Sequence, residues 1–151
     1  MSILTVIKGI KQIHNQDIVF VKIGKFYYCY GKDAYIISYF FEYKLNSVEN
    51  TTYSCGFPRQ SLSKVLTKLE NKKINYVILD RRNNYEIEEK ENFKNINAYS
   101  KYYIKAKEVI GLKLRIQKID NYLLANSDKN NIKELLRKLE KILQEYKFEE
   151  R

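Results

Sequence analysis

Two glycines, Gly24 and Gly31, enclose Lys25-Phe26-Tyr27-Tyr28-Cys29-Tyr30, a run of which four residues are aromatic. The segment before it, Asp17-Ile18-Val19-Phe20-Val21-Lys22-Ile23, is β-branched and aromatic, the composition of a mostly buried strand. Gly24 permits a sharp bend after that strand. Beyond the bend the period of two places Phe26, Tyr28 and Tyr30 on one face and Tyr27 and Cys29 on the other. Gly31 closes the second strand, and Asp33-Ala34 begins a helical pattern. A basic residue beside aromatic faces is one way to bind nucleic acid. A hydrophobic core would use the same rings, so both readings stand at this point.

The charge balance bears on that choice. Lys and Arg number 28 against 18 Asp and Glu, a formal net charge of +10, which favours a polyanionic partner, either nucleic acid or a membrane surface. Abundant Lys, Ile, Asn and Tyr is also the usage of AT-rich coding, which accounts for part of the excess without any partner. The 151 residues suffice for one domain with a real core and a small appendage. Two cysteines without a CxxC make no disulfide framework and fit a reducing, cytoplasmic setting. No long apolar leader opens the sequence and no run of eighteen apolar residues occurs, so neither export nor a membrane partner is expected.

In chain order, residues 2 to 14 read as a helix capped by Ser2, with Ile3, Val6, Ile7, Ile10 and Ile13 as its stripe and His14 at its end. Residues 32 to 43 form a second helix, 45 to 50 a polar connection, and 51 to 55 a short strand that Gly56-Phe57-Pro58 breaks. Residues 61 to 72 are an amphipathic helix whose Lys64, Lys68 and Lys72 lie in a row, either a solvated face or a phosphate track. Asn75 to Asp80 has a central-strand pattern. Residues 81 to 84 form a turn, and the acidic run 86 to 91 reads as a charged edge strand. From Asn97 the pattern is long helix with Tyr102, Val109, Leu112, Ile116, Ile119 and Leu123 as its seam. A second helix carries Ile132, Leu135, Leu139, Ile142 and Tyr146, with Ser127 or Asp128 as N-cap. The two read as an antiparallel hairpin that packs on the domain or on another subunit.

The order helix, strand, Gly-Lys-Phe-Tyr-Tyr-Cys-Tyr, Gly-Lys-Asp-Ala, strand, Cys-Gly-Phe-Pro, helix, strand resembles the amino-terminal mismatch-recognition domain of the MutS family. That family carries Gly-Asp-Phe-Tyr-Glu-Leu-Phe, then an Asp-Ala helix start, then Gly-Ile/Val-Pro-Tyr-His-Ala opening the next helix. Gly24, Phe26, Tyr27, the aromatic Tyr30, Asp33-Ala34, Gly56, Phe57 (for the aliphatic residue) and Pro58 match, over roughly the first 85 residues. The resemblance implies an α/β (α+β) fold: a mixed sheet flanked by helices over residues 1–95, followed by the helical hairpin at 96–151. It implies that Phe26 is a wedge that stacks on a mispaired or unpaired base from the minor groove, unstacking and kinking the step. The family's Glu, which hydrogen-bonds that base, is Tyr28 here, a phenol that both donates and accepts and offers a stacking face. Lys25 replaces an acidic residue, and Arg59-Gln60 replaces Tyr-His. Losing the carboxylate weakens the case for mismatch discrimination, and the added cations strengthen the case for backbone binding.

The leading expectation is therefore a non-catalytic protein that binds distorted, single-stranded or hybrid nucleic acid. Phe26 and Tyr28 would meet bases, Lys22, Lys25 and Arg59 phosphates, and Arg81 and Arg82 are weaker candidates. MutS repair proteins continue into ATPase domains, but no Gly-x-x-x-x-Gly-Lys-Ser/Thr occurs here, so no cofactor is expected. Small MutS-like proteins of this kind resemble accessory factors found beside reverse transcriptases in diversity-generating retroelements. The alternative is an adaptor or oligomeric subunit that acts through residues 97–147. A metal-dependent nuclease built on Asp80, Glu86 and Glu88 is the least supported, since no lysine or histidine completes a motif.

Overall fold

Strand β1 (Ile18–Ile23) is the centre of the sheet because its first four side chains, Ile18 to Val21, are buried on both faces. That pattern requires a layer on each side, as is usual around a parallel pair. The computed structural model describes residues 2–149 and provides both layers. The elements run α1 (Ile3–Ile13), β1, β2 (Phe26–Tyr30), α2 (Lys32–Phe41), β3 (Leu45–Val48), β4 (Thr52–Pro58), α3 (Leu62–Lys72), β5 (Tyr76–Asp80), β6 (Glu86–Glu91), α4 (Ala98–Ala125) and α5 (Ile132–Glu145). The six strands lie in the order β3-β4-β2-β1-β5-β6, with β1 parallel to β5 and every other pair antiparallel. This is the mixed sheet with flanking helices that the sequence led us to expect.

The strand period of two sends side chains to two separate cores. On one face Ile7 of α1 packs with Val19, Val21, Val77 and Leu79. On the other, Ile18, Phe20, Tyr27, Cys29, Phe57 and Ile78 meet α2, α3 and the start of α4. One buried carboxylate links the layers. Asp33, in the first turn of α2, accepts the Val19 N–H at 3.0 Å, Lys11 Nζ of α1 at 2.9 Å and the Tyr99 hydroxyl of α4. Burial pushes its carboxyl above the usual range, and Lys11 and Tyr99 pull it back. The matched Asp33-Ala34 pair thus belongs to the scaffold.

Compact units divide the chain at Met1–Gly111 and Leu112–Arg151. In the first, β3 replaces the expected polar connection at 45–50. Only Leu45 and Val48 are half-buried, with Asn46 and Ser47 exposed between them, so no alternation marks the strand. It exists through its pairing with β4. Gly56-Phe57-Pro58 does not break β4 either. Beyond Cys55 that strand has only β2 as partner, and a proline is tolerated there as it would be on an edge.

Two predicted stripes also shift. Ile13, the last residue of α1, is 81% exposed, because the chain turns at His14 to enter β1. His14 Nδ1 lies 2.8 Å from the Asp17 carboxylate, a helix-end contact. The buried residues of α4 are Ala98, Tyr99, Ala106 and Ile110, while Val109, Leu112, Ile116 and Ile119 of the expected seam are exposed. A stripe drawn from large apolar residues at heptad spacing overlooks the small Ala98 and Ala106. In the second unit α5 begins at Ile132, so the expected caps Ser127 and Asp128 lie in the preceding link. Asn131 occupies the N-cap position without a side-chain bond.

Candidate nucleic-acid interface

The β1–β2 hairpin turns through two residues, Gly24 and Lys25, between the paired Ile23 and Phe26. Gly24 has φ +59° and Lys25 does not share that region, the arrangement of a II′ turn, which suits strand twist and requires glycine first. The turn projects Lys25 into solvent and leaves Phe26, the first residue of β2, 43% exposed. Tyr28 follows on the same face, half-buried, its ring centroid 6.1 Å from that of Phe26 at an interplanar angle of 34°.

Strand β4 supplies the rest. Phe26 pairs with Pro58 and Tyr28 with Gly56. The Tyr28 ring lies over Gly56, since a Cβ there would sit 2.5 Å from Tyr28 Cε1. A glycine opposite an aromatic leaves room for the ring to cover the strand. The Arg59 N–H donates to the Lys25 carbonyl at 3.0 Å, so the backbone of the exposed Arg59 is tied to the turn. Among the described residues, neither Lys25 nor Arg59 joins an ion pair.

Four of the five expected residues, Phe26, Tyr28, Lys25 and Arg59, therefore gather at one end of β2. Lys22 does not. It pairs with Tyr27, which turns its side chain to the opposite sheet face, and its ammonium lies 3.6 Å from Glu88. Arg81 and Arg82 are exposed in the short turn after β5. Further along β2, burial pushes the Tyr30 hydroxyl up to about 12, and nearby Arg81 opposes the shift, so that cation is in electrostatic reach of the ring face. Sequence reasoning missed Gly56 and Pro58 as supports, because only the β2–β4 register reveals them.

The surroundings offer little chemistry beyond stacking, hydrogen bonding and charge. Among the described residues no group of three His, Cys, Asp or Glu side chains could hold a metal ion. Asp80 Oδ1 accepts the Arg82 N–H at 2.9 Å and Glu88 meets Lys22. Cys29 and Cys55 are free, buried register partners, and burial raises the Cys29 thiol well above its ordinary pKa, which makes it a poor nucleophile. Among the described residues no helix is long and apolar enough to cross a membrane.

The family described as MutS domain I matches residues 3–108. The match covers the sheet, both cores, the hairpin and the first turns of α4, beyond the 85 residues over which the motifs were legible. A comparison with curated proteins returned no match.

Proposed function

The chain belongs to the MutS domain I family, a non-catalytic recognition domain for mismatched nucleic acid, and from that premise we propose that it binds distorted nucleic acid through the β1–β2 hairpin. The exposed Phe26 ring, flanked by the cations Lys25 and Arg59, carries this reading. A protruding apolar ring gains little from water and much from a base step already loosened by a bulge or mispair, where the cost of unstacking is lowest. Tyr28 stands where the family has its acceptor carboxylate. Its hydroxyl hydrogen-bonds a base edge either way, so the domain reads distortion more than the identity of the mispaired base. Phosphate contacts by Lys25 and Arg59 make the affinity salt-dependent. The role we infer is that of a non-enzymatic accessory factor beside a diversity-generating reverse transcriptase, a reading supported by the resemblance to small MutS-like proteins.

The test is a titration of perfect, mismatched, bulged and single-stranded probes at two salt concentrations. Tighter binding to the bulged probe than to the perfect duplex at both salts supports the reading. Equal affinity for the two at both salts rejects it.

A second reading concerns the C-terminal helices. Leu135, Leu136, Ile142 and Leu143 of α5 are exposed on an amphipathic helix, which supports a protein contact or self-association through the segment 97–147. Sedimentation of the full chain over a range of concentrations tests the self-association arm. A monomer at every concentration removes it.

A further inference from the structure

The lysine row of α3 meets a second set of lysines from α4 across a floor of half-buried rings. Lys64 Nζ lies 5.4 Å from the Phe41 centroid, and Lys68 Nζ lies 5.6 Å from that of Phe40. The Tyr102 ring carries three ammonium groups, Lys72 at 5.7 Å, Lys101 at 5.4 Å and Lys105 at 5.5 Å. Among the described residues none of these five lysines joins an ion pair. Glu70, the one acidic residue of α3, lies about 160° around the helix from Lys68 at 100° per residue. The ring face holds the ammonium groups by cation–π attraction but leaves their charge in place, and three like charges around one ring repel.

We propose that this face is a second phosphate-binding surface, on the side of the sheet opposite Phe26 and Tyr28, that grips a nucleic-acid backbone. Lys64, Lys68 and Lys72 advance about 6 Å per step along α3, comparable with the spacing of successive phosphates on a strand. The rings beneath are packed into the larger core and covered by the lysine heads, so they are not free to stack on bases. The contact is therefore to the backbone, blind to sequence and dependent on salt. With Phe26 on the other side, one domain can hold two segments of nucleic acid at once. This inference rests on the nucleic-acid reading above but not on the wedge.

The experiment compares the full chain with the variant Lys64→Gln/Lys68→Gln/Lys101→Gln/Lys105→Gln on a perfect duplex, following log Kobs against log salt concentration. Each phosphate that the variant leaves unneutralised should flatten the slope by about 0.9, so a change of roughly 2 to 4 is expected. The preference for a bulge over a perfect duplex should persist in this variant. An unchanged slope overturns the second surface and leaves the wedge reading intact, whereas absence of nucleic-acid binding by the unaltered chain at low salt removes both. An unchanged slope together with weakened binding to anionic-lipid vesicles assigns the patch to a membrane instead. Lysine-acetylation footprinting of the unaltered chain gives an answer that does not depend on the variant folding. Protection of Lys64, Lys68, Lys101 and Lys105 by duplex supports the proposal, and equal labelling with and without duplex overturns it.

Discussion

Gly56→Ala tests the seating of Tyr28, on which the shape of the aromatic surface depends. The new Cβ would lie 2.5 Å from Tyr28 Cε1 and 2.8 Å from Cδ1. Carbon atoms settle at about 3.5–4.0 Å, so the ring must retreat by about 1 Å or swing off the strand. Forcing a packed side chain in this way costs about 1–3 kcal/mol. Replacing a strand glycine by alanine recovers about 0.5–1 kcal/mol of backbone entropy, so the net loss should be about 0.5–2 kcal/mol. The sign should reverse once the ring is gone. In a Tyr28→Ala background, Gly56→Ala should stabilise by about 0.5–1 kcal/mol, giving a coupling of about 1–3 kcal/mol between the sites. Urea unfolding of the four proteins measures it. A coupling below about 0.5 kcal/mol, the level at which independent sites add, would mean that the ring does not lie over the glycine.

Three further predictions concern the scaffold. Asp33→Ala leaves the Lys11 ammonium and the Val19 N–H without their shared acceptor and should cost about 3 kcal/mol in urea unfolding, with part recovered by adding Lys11→Met; a loss below about 1 kcal/mol would contradict the link between layers. Burial, then Glu89, Glu70 and Glu91, push the Tyr76 hydroxyl up to about 12. The unfolded tyrosine ionises near pH 10, so the stability linked to this group is intact below pH 10 and lost as the pH climbs to about 12. Tyr76→Phe should flatten the alkaline limb of the stability profile, and an unchanged limb would contradict the assignment. Gly24→Ala forces a Cβ into positive φ and should cost about 1–2 kcal/mol, measured by thermal unfolding, although the space beside it is open; no cost would mean that the turn adopts another form.

What could be read in the sequence was local. The strand at 18–23, the bend at Gly24, and the alternation placing Phe26 and Tyr28 together follow from β-branching and a period of two. They hold whatever the partner strands are. Lys22 shows where such reading stops. Its side chain looked adjacent to the turn, but the two-residue loop sets Ile23 opposite Phe26 and Lys22 opposite Tyr27, on the far face. The seat of Tyr28 on Gly56 joins residues 28 positions apart through the β2–β4 register, which no spacing rule supplies. Strand β3 has a partner but no pattern of its own. On α4 two of the four buried residues, Ala98 and Ala106, have small side chains that carry little weight in an apolar stripe. Charge was legible as a total. Its division between a hairpin tip and a lysine-covered ring floor required the fold.

The ratio of affinities for a one-base bulge over a perfect duplex, measured side by side for the unaltered chain and Phe26→Ala, bears most directly on the wedge. Aromatic stacking on a base is worth about 1–3 kcal/mol, so the ratio should fall about 5- to 150-fold in the variant while affinity for the perfect duplex changes little. Equal losses on both probes, or a ratio that does not move, would contradict the account.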